Sequence, residues 1–400
     1  MRSRDFWLYL ASRFSSATAM MMLRAAIAWH VFALSHSAFH LGLIGLIQFV
    51  PVVSLMLVGG AVADVYDRRK VMMLAQSVPL TAAIALFAAT ERGVATLAML
   101  YAVVALAGVA WAFDSPSRAA LLPTLVPRDE FPRAVTIAST NQALAFTTGP
   151  ALGGWVIARA GVGAAYAVQA LLISASLATL WFLRVRRQQT PGGVVTLRAI
   201  REGLRFVRRQ PVVLGCMTLD MLAVIFGGAA ALLPIYATEI LRVGAGGYGL
   251  LTSSLELGAL LMALMLTMLP PIERAGRALL VAVAVFGLAT IVFGLSRSFP
   301  LSVAAYMVVG MADQVSVVMR STAIQLSTPD ALRGRVSGVN MIFIGASNQL
   351  GAAESGFVAA LTTPMFSVVS GGIACLFVLG IVAARIPALR RYRTREAAVA

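Results

Sequence analysis

The sequence predicts an all-α polytopic membrane protein, with twelve transmembrane helices arranged as two pseudo-symmetric six-helix bundles. Three observations lead there. Of 400 residues, 60% are hydrophobic and only 12% are charged, with a mean hydropathy of +0.87; a soluble chain of this size carries about twice that share of charge. Apolar runs long enough to cross ~30 Å of hydrocarbon, about 20 residues each, recur from end to end. The second half of the chain also repeats features of the first.

In order, the runs are 6–33, 38–63, 71–90, 94–113, 134–158, 162–183, 212–236, 246–269, 278–296, 299–319, 337–360 and 365–386. The first is too long for a cleaved signal peptide and holds Arg13 and Arg24 inside it. The expected organisation is therefore a first bundle over 1–183, a linker over 184–211, and a second bundle with a basic tail over 212–400. The linker has a turn-rich stretch at 188–193. Beyond it Leu197, Ile200, Leu204, Phe206 and Val207 fall at helical spacing among arginines. That pattern predicts an amphipathic helix lying on the inner leaflet.

The net charge of +16 is explained by topology rather than by nucleic acid. With both termini in the cytoplasm, 26 of the 32 Lys and Arg fall on the inside, Arg118 and Arg320 among them, and only Arg92, Arg159, Arg242 and Arg297 lie outside. This is the positive-inside distribution, and contacts with anionic headgroups are expected from it. The two cysteines, Cys216 and Cys375, sit in apolar runs, which leaves no disulfide framework and no metal cluster. No phosphate-cradling loop of the G-x-x-x-x-G-K-[ST] type occurs. No nucleophile–base cluster or cofactor loop occurs either, so the chain is read as a non-enzyme without cofactor or metal.

An offset of 202 overlays Arg118 on Arg320, Pro127 on Pro329, Arg133 on Arg335, Gly149 on Gly351 and Gly154 on Gly356. An offset of 207 overlays Arg13 on Asp220 and Gly42 on Gly249. A six-plus-six parallel repeat is an architecture of secondary transporters, which bind substrate near the midplane between halves.

Ionised groups at a bilayer centre cost roughly 2.5–3.5 kcal/mol each on insertion scales, so those retained are site candidates. They are Arg13 and Arg24 in the first span, Asp220 in the seventh, Glu256 in the eighth, Asp313 in the tenth and Glu354 in the eleventh. Arg13 and Asp220 lie at matching depth, ~11–12 Å along their helices. They form the preferred gate pair; local partners such as Ser15 and Thr218 are the alternative. A carboxyl group moved between a dry setting and an arginine binds and releases a proton. Glu256 and Asp313 rank first as carriers, then Glu354 and Asp220, against static ion pairing for each. Arg24, Gln48, Asn141, Gln142 and Gln314 are cavity candidates, as is Gln169, or else interhelical hydrogen bonds. His30, beside Trp29, reads as interfacial.

After the second span comes Gly60-Ala-Val-Ala-Asp64-Val-Tyr-Asp67-Arg68-Arg69-Lys70. This resembles the signature loop of the major facilitator superfamily, with Asp67 where that family has a glycine. The resemblance implies a loop that locks the cytoplasmic side. Read physically, Gly60 permits close helix approach, and Asp64 suits a helix N-terminus. Gly149-Pro150-Ala-Leu-Gly153-Gly154 resembles the family's antiporter signature, physically a kinked, close-packed helix. The stretch Ser115–Arg128, with Pro329–Val336, resembles the branch of bacterial exporters that contains the enterobactin exporter and the macrolide efflux proteins. The arginine that many proton antiporters of the family place in the fourth span is absent from Tyr101–Phe113.

The function expected from the repeat, the charges and the resemblance is a proton-coupled exporter of a small amphiphilic compound, such as a drug, siderophore or secondary metabolite, by rocker-switch alternating access. A proton symporter of the same fold and a non-transporting receptor are the alternatives. Expected partners are substrate, protons and the lipid bilayer, with no nucleic acid. The chain is expected to be a monomer in the bacterial cytoplasmic membrane.

Overall fold

The computed structural model describes residues 4–184, 197–270 and 272–393. Among them every regular element is helical. The first half holds α1 (Arg4–Ser35), α2 (Ala38–Val65), α3 (Arg68–Glu91), α4 (Leu97–Leu121) and α5 (Phe131–Phe182). A short amphipathic helix, α6 (Leu197–Arg209), follows. The second half holds α7 (Pro211–Gly227), the single turn α8 (Leu233–Ile235), α9 (Gly244–Met268), α10 (Ala275–Leu295), α11 (Phe299–Leu326), α12 (Asp330–Leu361), α13 (Pro364–Arg385) and the short α14 (Pro387–Arg391). The turn-rich stretch 188–193, the side chains of Leu197 and Ile200, and the tail beyond 393 lie outside the described residues.

The ends of these helices have local causes. Asp67, Thr96 and Thr363 accept backbone N–H bonds at the starts of α3, α4 and α13, as capping side chains do. Gly161, at φ 82°, divides the 52-residue α5 into two limbs, 131–160 and 162–182, which supply the fifth and sixth crossings. Among the described residues, ten helical stretches are long and apolar enough to cross a membrane. With α5 counted twice and the more polar α12 added, the twelve expected crossings are accounted for. Exposed Trp7, Leu74, Leu171, Trp181, Val281 and Phe377 give the helices an apolar outer surface, as lipid requires.

The chain divides into two compact units. One comprises Met1–His40, Ile47–Val194 and Arg242–Ser253, and the other Leu41–Leu46, Val195–Leu241 and Ser254–Ala400. A core of Phe6, Tyr9, Met72, Leu121, Ala134 and Leu180 sits in the first unit. Val213, Met217, Leu279, Met319, Val336 and Val378 lie at the centre of the second. Short stretches of α2 and α9 thus pack with helices of the opposite half of the sequence. Their glycines explain why: Gly42 and Gly45 approach the α12 backbone at Ala353, Gly356 and Gln349, and Gly249 approaches α5 at Gly154 and Pro150.

Three helices depart from expectation. The fourth span does not stop at Phe113, because α4 continues through Pro116 to Leu121. Asp114, the first charge beyond the apolar run, is neutralised one turn on by Arg118 at 3.0 Å, so continuing the helix costs little. The amphipathic helix α6 turns part of its apolar face to the second unit, while Leu204 stays exposed. Its Val207 is buried in the core of the second unit, and its Gly203 lies against the Arg335 backbone and Val339 of α12. The seventh span is not one helix: α7 ends at Gly227, and the chain continues through a 3-10 turn at Ala230–Leu232, α8, and a π-helical turn at Tyr236–Ile240.

Candidate functional site

The second unit carries its intramembrane charge on α7, α9, α11 and α12. Asp220 of α7 forms an ion pair with Arg320 of α11, and the two residues are only 7% and 3% exposed. Arg320, one residue past the tenth apolar run, lies near the end of the 28-residue α11. Two turns back on the same helix face, ~10 Å along the axis, stands Asp313. It makes no hydrogen bond or ion pair among the described residues. Asp220 and Asp313 share a small cavity with Ala223, Val224, Val283, Phe286 and Ser316. A paired carboxylate and an unpaired one therefore border the same space. Gln314, beside Asp313, is half-buried.

The break in α7 lies against α12. Gly351 meets the Val224 carbonyl and Ile225 so closely that a Cβ there would stand 2.6 Å from the carbonyl oxygen. One turn along α12, the Ser355 hydroxyl donates to the Gly228 carbonyl at 2.6 Å. The same Oγ lies 3.4 Å from Glu354 Oε2. Ser367 of α13 donates to the Ser355 carbonyl at 2.9 Å. Backbone freed by a broken helix is thus re-satisfied by hydroxyls, the condition for irregular backbone at membrane depth. Glu256 is half-buried on α9.

In the first unit a continuous hydrogen-bonded chain crosses α1, α3, α4 and α5. Arg13 donates to Gln142 and to the Tyr9 hydroxyl at 2.9 Å. Tyr9 donates to the Arg118 carbonyl at 3.3 Å. The Arg118 guanidinium grips Asp114 through two bonds at 3.0 and 3.1 Å, and Gln76 donates to the same carboxylate at 2.9 Å. Ser176 donates to Gln76 at 2.7 Å, and Ser12 lies 2.8 Å from Ser176. So Arg13 and Asp220 each have a partner within their own unit, though neither is the Ser15 or Thr218 named from the sequence. Asn141 donates to the Leu10 carbonyl at 3.0 Å, an interhelical bond. Gln48 is buried where Gly108 of α4 meets α2. Arg24 is exposed on α1. Gln169 is buried with both amide atoms unpartnered. His30 is buried, with Nδ1 3.0 Å from the Tyr166 hydroxyl.

The loop after α2 is arranged differently from expectation at two positions. Gly60 faces open space, and the close approach is made by Gly59 against the Ala112 carbonyl. Asp64 is exposed, and Asp67 takes the helix-start role, accepting from the Arg69 amide at 3.0 Å and the Lys70 amide at 3.5 Å. Arg68 donates to the Ala120 carbonyl at 2.8 Å and Arg69 to the Leu183 carbonyl at 3.0 Å. These bonds tie the loop to the ends of α4 and α5, while Lys70 is exposed. Along α5, Gly149 packs against Thr18 and Met21 of α1 and Gly153 against Met22, with Pro150 buried beside them. Gly154 meets Gly249 of α9.

The repeat seen in the sequence reappears as paired contacts. Gly149 touches α1 at Thr18 as Gly351 touches α7 at Ile225, and Gly154 meets Gly249 as Gly356 meets Gly42. Arg118 and Arg320 are both buried, each beside a carboxylate. A buried arginine on the fourth helix is therefore present at Arg118, beyond the Tyr101–Phe113 stretch in which the sequence showed none.

Comparison with known proteins agrees with this architecture. A family model described as transmembrane secretion effector matches residues 2–398. Enterobactin exporters of Escherichia coli and Escherichia fergusonii are 28% identical over 386 residues, spanning 96% of this chain and 92% of theirs. Among solved structures, a POT family transporter in complex with a thioalcohol-conjugated peptide superposes with a TM-score of 0.77 at 12% identity, covering 96% of each chain. The nucleoside transporter NupG superposes with a TM-score of 0.75 at 11% identity, covering 95% of this chain and 99% of its own. A bacterial homologue of the lysosomal transporter Spinster gives 0.71 at 16% identity, covering 98% of each.

Proposed function

Because the chain belongs to the transmembrane secretion effector family of major facilitator transporters, we propose that it is a proton-coupled exporter. Its substrate is a small amphiphilic compound of the siderophore, drug or secondary-metabolite kind, moved outward across the bacterial cytoplasmic membrane by alternating access. The observation that carries the reading is Asp313 without a partner beside the buried Asp220–Arg320 pair. Holding an unpaired ionised carboxyl group in such a setting is costly, so Asp313 is the residue of this unit most apt to take up and give back a proton. Asp220 is paired with Arg320, and exchange of that arginine between the two carboxylates would free one proton site as it fills the other. Glu256 and Glu354 are further carriers on α9 and α12.

Export is supported by the likeness to enterobactin exporters and by the Gly149–Gly154 stretch. Arg13, with Gln142 and Asn141, lines the polar face of α1 and α5 in the first unit, and Arg24, Gln48 and Gln314 extend the set of polar side chains available to substrate. Arg68, Arg69 and Lys70 with Asp67 fasten the cytoplasmic ends of the first-unit helices in this reading.

The test uses inverted membrane vesicles loaded with an inside-acid gradient. Uptake of a catecholate siderophore or of a fluorescent amphiphilic drug that is abolished by an uncoupler, and by Asp313→Asn, supports the proposal. Gradient-driven loss of preloaded substrate would instead mean import by symport.

A further inference from the structure

Ser355 stands between two acceptors and owns one proton. Its Oγ lies 2.6 Å from the Gly228 carbonyl and 3.4 Å from Glu354 Oε2. A carbonyl only accepts, and an ionised carboxylate only accepts. The single hydroxyl hydrogen therefore serves one of them at a time, and which one depends on the protonation of Glu354. When Glu354 is a carboxylic acid, its O–H donates to Ser355 Oγ while the Ser355 O–H donates to Gly228. The two bonds run in one direction and reinforce each other. When Glu354 is a carboxylate, it competes for the Ser355 proton with the advantage of a charge-assisted bond. Gly228, whose carbonyl lies just beyond the last turn of α7, then loses its side-chain donor.

We propose that Glu354 and Ser355 form a proton-operated latch on the break in α7: the protonated side chain holds the segment after Gly227 against α12, and the ionised one releases it. The proton comes from water and returns to water, with no other reactant. The proposal builds on the proton-coupled reading of the protein by assigning the element that a proton on α12 would move. The released segment is built to move. It contains the 3-10 turn at Ala230–Leu232, α8 and a π-helical turn at Tyr236–Ile240 in place of a regular helix.

No other charge on the elements packed against this part of α12 duplicates the role. On α7 the titratable groups are Asp220, tied to Arg320, and Cys216; they lie ~12 and ~18 Å along the axis from Gly228. The residues 41–46 of α2 and 230–232 bring no titratable side chain. On α13 there are Cys375, whose thiol lies 4.0 Å from the Val283 carbonyl, and Arg385 at the far end. On α6, Glu202 pairs with Arg335, 19 residues or ~28 Å along α12 from Glu354.

Amide hydrogen exchange of the purified protein in lipid nanodiscs tests the latch without substrate or transport. After correction for the intrinsic pH dependence of exchange, residues 229–241 should be about three- to tenfold better protected at acidic than at alkaline pH in the wild type, the effect of one hydrogen bond. Glu354→Gln, whose amide N–H donates to Ser355 at any pH, should be protected at both. Ser355→Ala should lose the pH dependence with low protection, and Ser355→Thr, which keeps the hydroxyl, should restore it. Equal protection at both pH values in the wild type, or unchanged pH dependence in Glu354→Gln, overturns the proposal. Should Ser355→Ala not fold, the Gln and Thr variants decide it. Loss of gradient-driven transport in these variants without any change in exchange would leave the exporter reading standing and remove the latch; a pH-dependent latch in a protein with no gradient-driven transport would do the reverse.

Discussion

Gly154 of α5 and Gly249 of α9 cross backbone to backbone. A Cβ on Gly154 would stand 2.5 Å from the Gly249 Cα, and one on Gly249 would stand 2.8 Å from the Gly154 Cα. Gly42 and Gly356 repeat the crossing between α2 and α12, with Cβ to Cα at 3.0 Å. Lipid supplies no hydrophobic push between helices, so such pairs hold them by close packing alone. A transporter whose helices must separate and rejoin gains from contacts that are tight when closed and leave no buried polar group behind when open.

Gly154→Val and Gly249→Val should each force the crossing apart, at about 1–3 kcal/mol for an overpacked site. Transport should fall several-fold with membrane expression preserved. Gly246→Ala is the control, since a Cβ there would meet only the Ala158 side chain at 3.8 Å. Vesicle transport assays normalised to protein amount give the comparison, and a Gly249→Val protein as active as Gly246→Ala would contradict the packing argument.

Removing one member of the Asp220–Arg320 pair should damage the protein more than removing both. Arg320→Gln leaves the Asp220 carboxylate buried without its cation, a loss of about 3–5 kcal/mol for a pair this enclosed. The combined Asp220→Asn and Arg320→Gln change removes both charges and should recover much of that stability. Thermal melting followed by size-exclusion fluorescence reads the stability, and transport should remain impaired in the double variant. Recovery of neither property would mean that the arginine acts through packing rather than charge.

Much of this arrangement was legible in the sequence because lipid enforces simple rules. Twelve apolar runs, the arginine asymmetry and the offset that equates Gly154 with Gly356 need no knowledge of side-chain positions. What escaped were pairings that make a polar residue affordable. Asp114 and Arg118 are four residues apart, the spacing of an intrahelical ion pair, but the apolar run 94–113 ends before them and hydropathy alone does not carry the helix further. The break in α7 had its sign in Gly227-Gly228, but apolar neighbours on both sides masked it. Ser355 looked like any small residue of a packed helix, and only the freed Gly228 carbonyl shows its use. Gly59 and Gly60 cannot be told apart without knowing which faces α4. The partners of Arg13 are Tyr9, one turn back on α1, and Gln142 on α5, neutral groups that a search for charges passes over.

The exposed ion pair of Glu202 with Arg335, at 2.6 Å with side chains 32% and 43% exposed, should contribute little by comparison. Glu202→Ala is expected to cost less than about 1 kcal/mol. Val207→Asp on the same helix should cost several times more, because Val207 is 1% exposed within the core of the second unit and an unpaired buried charge is severely penalised. Melting of the two variants side by side separates docking by burial from docking by charge. A larger loss in Glu202→Ala than in Val207→Asp would show that α6 is held electrostatically.

Asp67 explains why this chain departs from the family's glycine in the loop after α2. Its carboxylate accepts from the Arg69 and Lys70 amides at the start of α3, a cap worth about 0.5–2 kcal/mol against alanine and only a few tenths against glycine. Asp67→Ala should therefore destabilise the protein measurably, whereas Asp67→Gly, which restores the residue of the resembled motif, should be nearly neutral. The charge adds a second consequence. An acidic group beside Arg68, Arg69 and Lys70 lowers the local positive field that the motif otherwise presents, and the helix N-terminus holds the carboxylate in place. If the loop acts in transport through that field, Asp67→Gly should change the transport rate at unchanged stability, and raising the salt concentration should reduce the difference between the two proteins by screening. Equal rates at low and high salt would confine Asp67 to holding the helix.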